Sequence, residues 1–325
     1  MGFPEIFNIA GRHEFEMLAL KIFEHQASNN KAYRAFIDYL NIDLESVDNI
    51  DKIPFLPIEF FKSHDIVSTG KGVEETFLSS GTTGSAQSRH LVTDLGLYEQ
   101  SFTRGFERFY GRIEDYTILA LLPGYLERKG SSLVYMVDHM IRKSTSLHSG
   151  FYLNNLEELK AKLIEIDEKE KKVLLIGVSY AVLDLVSDKK MRLKNTIVME
   201  TGGMKGRRKE LVREELHALL SEGFGTDRIH SEYGMTELLS QAYSKGRGIF
   251  ETPPWMKVFT RDPEDPFSKL PKGKTGGIDI IDLANVNSCS FIATQDLGRK
   301  VDENYFEILG RFDHSDIRGC NLMVV

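Results

Sequence analysis

Apolar residues recur at helical spacing near the start of the chain. Phe15, Leu18, Ala19, Ile22 and Phe23 form one stripe. Beyond Asn29-Asn30, Tyr33, Phe36, Ile37 and Leu40 form a second, so residues 12–41 read as two helices. The stretch Ile53-Pro54-Phe55-Leu56-Pro57-Ile58-Glu59-Phe60-Phe61-Lys62 stays densely apolar while two prolines break the backbone pattern. That combination predicts a packed, extended connection followed by one helical turn. Thr76-Phe77-Leu78 is a short strand signal, and a helix is predicted near 94–109. From there the pattern alternates: strands at 116–122, 173–176 and 195–200, helices at 131–141, 156–166 and 207–220. Fully apolar strands separated by helices argue for an α/β fold with a mostly parallel sheet covered on both faces.

After about residue 245 the style changes. Pro253-Pro254, Asp262-Pro263 and Asp265-Pro266 mark loops, and short strands are predicted at 256–259, 277–283, 291–294 and 305–309. The organisation expected is a helical region over 1–75, an α/β core over 76–245, a smaller β-rich subdomain over 246–310 and a tail over 311–325.

A chain of 325 residues can bury a substantial core as one large domain or two smaller ones. With 41% hydrophobic and 27% charged residues its composition is that of a soluble globular protein. The formal charge is −7 and no Lys/Arg block stands out, which argues against nucleic acid as a partner. Any anionic ligand must therefore be met by a local site. No segment approaches the roughly 20 apolar residues of a membrane span. The N-terminus lacks a secretory layout, and Ile6 stands where myristoylation needs Ser or Thr. Cys289 and Cys320 form neither a Cys-x-x-Cys pair nor a disulfide framework, so a reducing cytoplasm is the expected location. The histidines show no zinc-ligand spacing.

The candidate chemistry sits in five groups. Ser79-Ser80-Gly81-Thr82-Thr83-Gly84 combines two glycines with four hydroxyls. Such a turn can cradle phosphate with backbone N–H groups and hydroxyls, or be a plain polar turn. It is not a Walker A loop, because Gly84 is followed by Ser85-Ala86-Gln87. Glu200-Thr201-Gly202-Gly203 closes a predicted strand, where open α/β sheets place their ligand crevice. Ser231-Glu232-Tyr233-Gly234-Met235-Thr236-Glu237 offers an aromatic face, a flexible glycine, a hydroxyl and a carboxylate suited to Mg²⁺. Asp296, in Thr294-Gln295-Asp296-Leu297-Gly298-Arg299, can accept ribose hydroxyls or simply cap a turn. Arg311, in Gly310-Arg311-Phe312-Asp313, can reach a phosphate or lie on the surface.

In this order the five groups resemble the adenylate-forming superfamily of acyl-CoA synthetases and related ligases. A narrower match is carried by Ile53-Pro54-Phe55-Leu56-Pro57, by Leu122-Pro123-Gly124-Tyr125-Leu126-Glu127-Arg128 with Gly130-Ser131-Ser132, and by Ile317-Arg318-Gly319-Cys320-Asn321-Leu322. These segments look like the acyl-protein synthetase (LuxE-type) family, the fatty-acid-activating component of bacterial luminescence reductase. The resemblance implies ATP and Mg²⁺ as cofactors and a carboxylic, fatty-type acid as substrate. Ser79 to Gly84 would wrap the β- and γ-phosphates. Tyr233 would stack on adenine, with Gly202, Gly203 and Gly234 lining the nucleotide pocket. Thr236 would contact phosphate, Glu237 would hold Mg²⁺, Asp296 would bind the ribose, and Arg311 the ribose or α-phosphate. The acyl group would then pass to Cys320 and on to a partner such as an acyl reductase; Cys289 is expected to be structural. The superfamily's full-length members carry a further C-terminal domain with a catalytic lysine. This chain stops soon after Arg311, a truncation the acyl-protein synthetases share, and Arg128, Lys129 and Lys205 are candidate replacements.

Two other readings stand beside this one. Val173 to Ile176 followed by Gly177-Val178-Ser179-Tyr180-Ala181 is close to a nucleophile elbow, with Ser179 as a serine-hydrolase nucleophile and Asp184 or Asp227 with His230 as partners. The other is a degenerate ligase that binds nucleotide without turnover.

Overall fold

The computed structural model describes residues 3–80, 86–123, 130–153, 155–169, 172–188, 190–202 and 211–312. The chain opens with helices α1 (Arg12–Asn29) and α2 (Lys31–Tyr39). The proline-rich stretch follows as strand β1 (Leu56–Pro57) and the one-turn helix α3 (Phe60–Ser63). A hairpin of β2 (Glu75–Leu78) and β3 (Arg89–Val92) leads into α4 (Leu95–Tyr110). The alternating section runs β4 (Thr117–Leu121), α5 (Ser132–Lys143), β5 (Gly150–Phe151), α6 (Leu156–Glu168), β6 (Val173–Val178), α7 (Ser179–Leu185), β7 (Thr196–Thr201) and α8 (Arg213–Phe224). Short strands β8 (His230–Tyr233), β9 (Ala242–Ser244) and β10 (Ile249–Glu251) come next. They are followed by the longer β11 (Met256–Arg261), β12 (Thr275–Asp282), β13 (Phe291–Lys300) and β14 (Tyr305–Arg311).

Local chemistry starts these helices where they start. Asn30 caps α2 by accepting from Tyr33 N at 3.0 Å, Asp94 caps α4 through Leu97 N at 3.0 Å, and Ser131 caps α5 through Val134 N at 3.3 Å. Helix α8 begins at Arg213, later than the apolar pattern suggested; residues 207–210 lie outside the described set. Gly225, in the left-handed region at φ 65°, ends it.

Among the described residues, twelve strands form one sheet. Strands β5, β4, β6, β7 and β8 are parallel neighbours in that order, and every residue of β4 and β6 is buried. Beyond β8 the ladder turns antiparallel through β9, β10, β14, β13, β12 and β11, and β1 pairs parallel with β13. The strands predicted after residue 245 therefore continue the hydrogen-bonded path of the parallel core. The chain leaves β4 toward β5 on one side and returns to β6 on the other. That reversal puts the ligand crevice of an open sheet at the carboxyl ends of β4 and β6.

The N-terminal helices pack on the far end of the chain. Gln26 is fully buried; its Nε2 donates to Asn285 O at 3.1 Å and Val286 O at 3.0 Å, and its Oε1 accepts from Ser290 N at 2.9 Å. Tyr33 stacks on Phe291 with ring centroids 6.1 Å apart. Phe15, Leu18, Ile22 and Phe23 are buried in the same core, each contributing about 1.5–3 kcal/mol of apolar burial.

Candidate active site

The glycine-rich loop springs from the β2–β3 hairpin. Its stem is closed by Ser79: the Ser79 N–H donates to Ser88 O at 3.1 Å, and Ser79 Oγ accepts from Ser88 N at 2.9 Å. Ser80 is exposed at the rim, and Gly81, Thr82, Thr83 and Gly84 lie outside the described residues. The same hairpin touches the turn after β8 at two points. His90 Nδ1 lies 2.8 Å from Thr236 O, and the Ser88 hydroxyl is near enough to the Glu237 carboxyl to favour its charged form. Burial pushes the Glu237 carboxyl above its ordinary pKa, and the Ser88 hydroxyl and the Arg311 charge offset this only in part. Behind the turn, buried Asp282 accepts from Leu239 N and Ser240 N, both at 2.9 Å, so the backbone leaving Glu237 is anchored from below.

Tyr233, Asp296 and Arg311 meet directly. The Tyr233 hydroxyl donates to Asp296 Oδ2 at 2.7 Å, and Arg311 Nε donates to Asp296 Oδ1 at 3.2 Å. The second contact follows from strand register, which sets Asp296 opposite Arg311 across β13 and β14. Asp296 is buried, whereas the Arg311 side chain is 74% exposed. A carboxylate has about four lone-pair positions, so Asp296 keeps capacity for further hydroxyl donors. The Tyr233 ring packs against Phe250 and Phe306 with centroids 5.7 and 5.3 Å away, neither lying flat on it. Burial, with the neighbouring Asp296 charge, raises its pKa well above the usual tyrosine value, so the hydroxyl stays a donor. Tyr233 is only 9% exposed in this conformation.

Two further carboxylates stand on adjacent strand ends. Glu200 of β7 is buried and accepts from Ser179 Oγ at 2.8 Å, with His217 Nε2 at 3.5 Å and Arg213 Nη1 at 3.9 Å. Burial alone would raise its pKa, but His217, Arg213, Ser231 and Ser179 together outweigh burial and hold it below the ordinary value. Glu232 of β8 points to the other face and accepts from the Thr201 hydroxyl. Burial raises its pKa to about 7 despite that bond, and the charge of Glu200 adds to the rise. Gly234 is what allows this close packing, since a Cβ there would lie 2.4 Å from Glu232 Oε1. Gly202, exposed at φ 67° just past β7, has a carbonyl that accepts from Ser179 Oγ at 2.8 Å.

The structure thus gathers the Ser79 stem, Gly202, Tyr233, Gly234, Thr236, Glu237, Asp296 and Arg311 around the carboxyl ends of the sheet. Gly203, Arg128, Lys129, Lys205 and Cys320 lie outside the described residues. Cys289 is fully buried with its thiol pKa pushed up to about 12, a structural position. The hydrolase arrangement does not form. The Ser179 hydroxyl points its single hydrogen at Glu200 and Gly202 O rather than at an imidazole, while His230 Nδ1 lies 3.2 Å from Tyr110 Oη. His90, Asn285 and Ser88 are site residues that the motif reading missed. The one available signal was that Ser88, His90 and Val92 alternate as inward positions along the strand.

Solved structures of adenylate-forming ligases share this fold. MatB from Rhodopseudomonas palustris with ATP bound superposes with a TM-score of 0.55 at 17% identity, over 75% of this chain and 49% of that chain. A 2-hydroxyisobutyryl-CoA ligase in complex with 2-HIB-AMP and CoA gives 0.63 at 13% identity, over 96% of this chain and 71% of that chain. The chain therefore spans about half the length of the MatB structure. The model of the acyl-protein synthetase family, LuxE, matches residues 12–325, and the chain belongs to that family. No curated protein matches it by sequence.

Proposed function

We propose that the protein activates a carboxylic acid of the fatty type with ATP, forming acyl-adenylate and pyrophosphate, and then loads the acyl group on a protein thiol. The observation that carries this is the joint Tyr233–Asp296–Arg311 cluster at the sheet's carboxyl ends, with the Thr236–Glu237 turn held by His90 beside the stem of the glycine-rich loop. Asp296 would accept the ribose hydroxyls, with Tyr233 and Gly202 walling the base. Arg311 would swing onto the α-phosphate, and the hydroxyls of Ser79 to Thr83 would meet the β- and γ-phosphates. A substrate carboxylate oxygen attacks the α-phosphorus, and the bond to the pyrophosphate oxygen breaks. Preorganised donors lower the barrier most where charge develops, which is on the α-phosphate and the leaving oxygens.

Mg²⁺ fits Glu237. Mg²⁺ is usually held by one or two carboxylates plus substrate phosphates, and a buried carboxyl with a raised pKa is one that a cation would stabilise. When bound, the ion would neutralise phosphate charge. In the second half, the Cys320 thiolate would attack the acyl carbonyl and expel AMP, and an acyl-accepting partner such as a reductase would take the thioester. The test is carboxylate-dependent pyrophosphate release from ATP across a panel of fatty and aromatic acids. Release with one class of acid is the expected result. Nucleotide binding with silence across the panel would make the protein a non-catalytic nucleotide binder.

A further inference from the structure

We propose that His90 is a positioning residue that ties the hairpin carrying the glycine-rich loop to the Thr236–Glu237 turn, so that both phosphate-facing segments move as one body. The inference deepens the ligase reading and rests on it. A carbonyl oxygen can only accept, so the 2.8 Å contact with Thr236 O places the ring proton on Nδ1 of His90. The ring is 1% exposed and packs edge-on against Phe61 at 5.7 Å. Burial brings its pKa down to about 4, against the opposing pull of Thr236 and Asn285, so the imidazole is neutral and its geometry constant across the working pH range.

The neighbouring contacts make this a clamp rather than an isolated bond. Ser88, two residues earlier on the same face, pairs with Ser79 at the loop stem, Ser88 N donating to Ser79 Oγ at 2.9 Å and Ser79 N to Ser88 O at 3.1 Å. Asn285, beyond β12, donates its Nδ2 to Glu237 O at 2.6 Å. The carbonyls of Thr236 and Glu237 lie outside helix and strand, and side chains from two distant elements hold them. Removing His90 frees the first carbonyl and lets the turn shift against the loop stem. Misplacement of about 1 Å can cost on the order of 100-fold in a step that needs alignment.

The experiment compares wild type, His90→Leu and His90→Asn for MgATP affinity by calorimetry, for pyrophosphate release, and for backbone hydrogen exchange. The Asn amide can offer an N–H close to the position of Nδ1–H. His90→Leu should weaken MgATP binding and raise its KM by about tenfold or more, with the KM for the acid within about twofold. Exchange should rise together in 76–80, 86–92 and 234–238. His90→Asn should recover most of the affinity. Equal MgATP affinity in wild type and His90→Leu, or faster exchange confined to the hairpin, would overturn the proposal. If wild type binds MgATP but releases no pyrophosphate, the ligase reading fails while the three affinities still decide the role of His90. A wild type that binds no MgATP overturns both.

Discussion

Replacing Glu232 with Gln should make the protein more stable at alkaline pH and change its pH dependence in a calculable way. In the folded state the carboxyl has a pKa of about 7, against an ordinary 4.5, chiefly because it is buried. The folded state therefore holds a proton that the unfolded chain has released. For an acid with a raised pKa, the stabilisation is complete below pH 4.5 and is lost as pH rises through 7. At 1.36 kcal/mol per pKa unit, the loss is about 0.8 kcal/mol at pH 5 and about 3.3 kcal/mol at pH 8. Gln keeps an acceptor for the Thr201 hydroxyl and does not titrate. The stability of wild type relative to Glu232→Gln should thus fall by about 2.5 kcal/mol between pH 5 and pH 8. Urea unfolding of both proteins at the two pH values measures it, provided the m-values agree. Titrating groups not coupled to Glu232, His90 and Asp282 among them, are common to both proteins and cancel in the comparison. Parallel pH profiles for the two proteins would refute the burial of an acid at this strand end.

Three further outcomes are expected. Glu237→Ala should lower pyrophosphate release by about 100-fold or more while circular dichroism stays native; full activity would remove the Mg²⁺ assignment. Cys320→Ser should still form acyl-adenylate but no hydroxylamine-sensitive acyl-protein, and persistent labelling would move the acceptor elsewhere. Tyr233→Phe takes one donor from the buried Asp296 carboxylate and should cost about 1.5–3 kcal/mol in urea unfolding, an effect that an unchanged midpoint would disprove.

Periodicity made three strands of the parallel core, β4, β6 and β7, legible because their environment is uniform. Where all positions of β4 and β6 are buried, the sequence is a continuous apolar run. Strand β8 reads His-Ser-Glu-Tyr and carries no such signal, because its inward groups are satisfied by tertiary partners: Ser231 by His217, Glu232 by Thr201 and Tyr233 by Asp296. The candidate site divides in the same way. Its motifs were visible in order along the chain, but the Asp296–Arg311 pairing depends on β13–β14 register, with a shift between Leu297 and Gly298 that no spacing rule supplies. Ser179 shows the reverse error. Strand and helix are both present and meet at Ser179, yet the local pattern cannot say that the hydroxyl faces a carboxylate.

The bonds from Gln26 to Asn285, Val286 and Ser290 carry a consequence for how the molecule is made. Gln26 and Val286 are 260 residues apart in the chain. At a synthesis rate of roughly 5–20 residues per second, the first helices emerge roughly 13–50 s before the backbone that will satisfy them. Through that interval Phe15, Leu18, Ile22 and Phe23 have no finished core to enter, and a helix pair with a bare apolar face is what chaperones bind. Variants at Gln26 or Asn30 should therefore lower the yield of folded protein per chain synthesised more than they lower the stability of chains that have already folded. The N-terminal helices are translated long before their partners and are among the last elements to find their place.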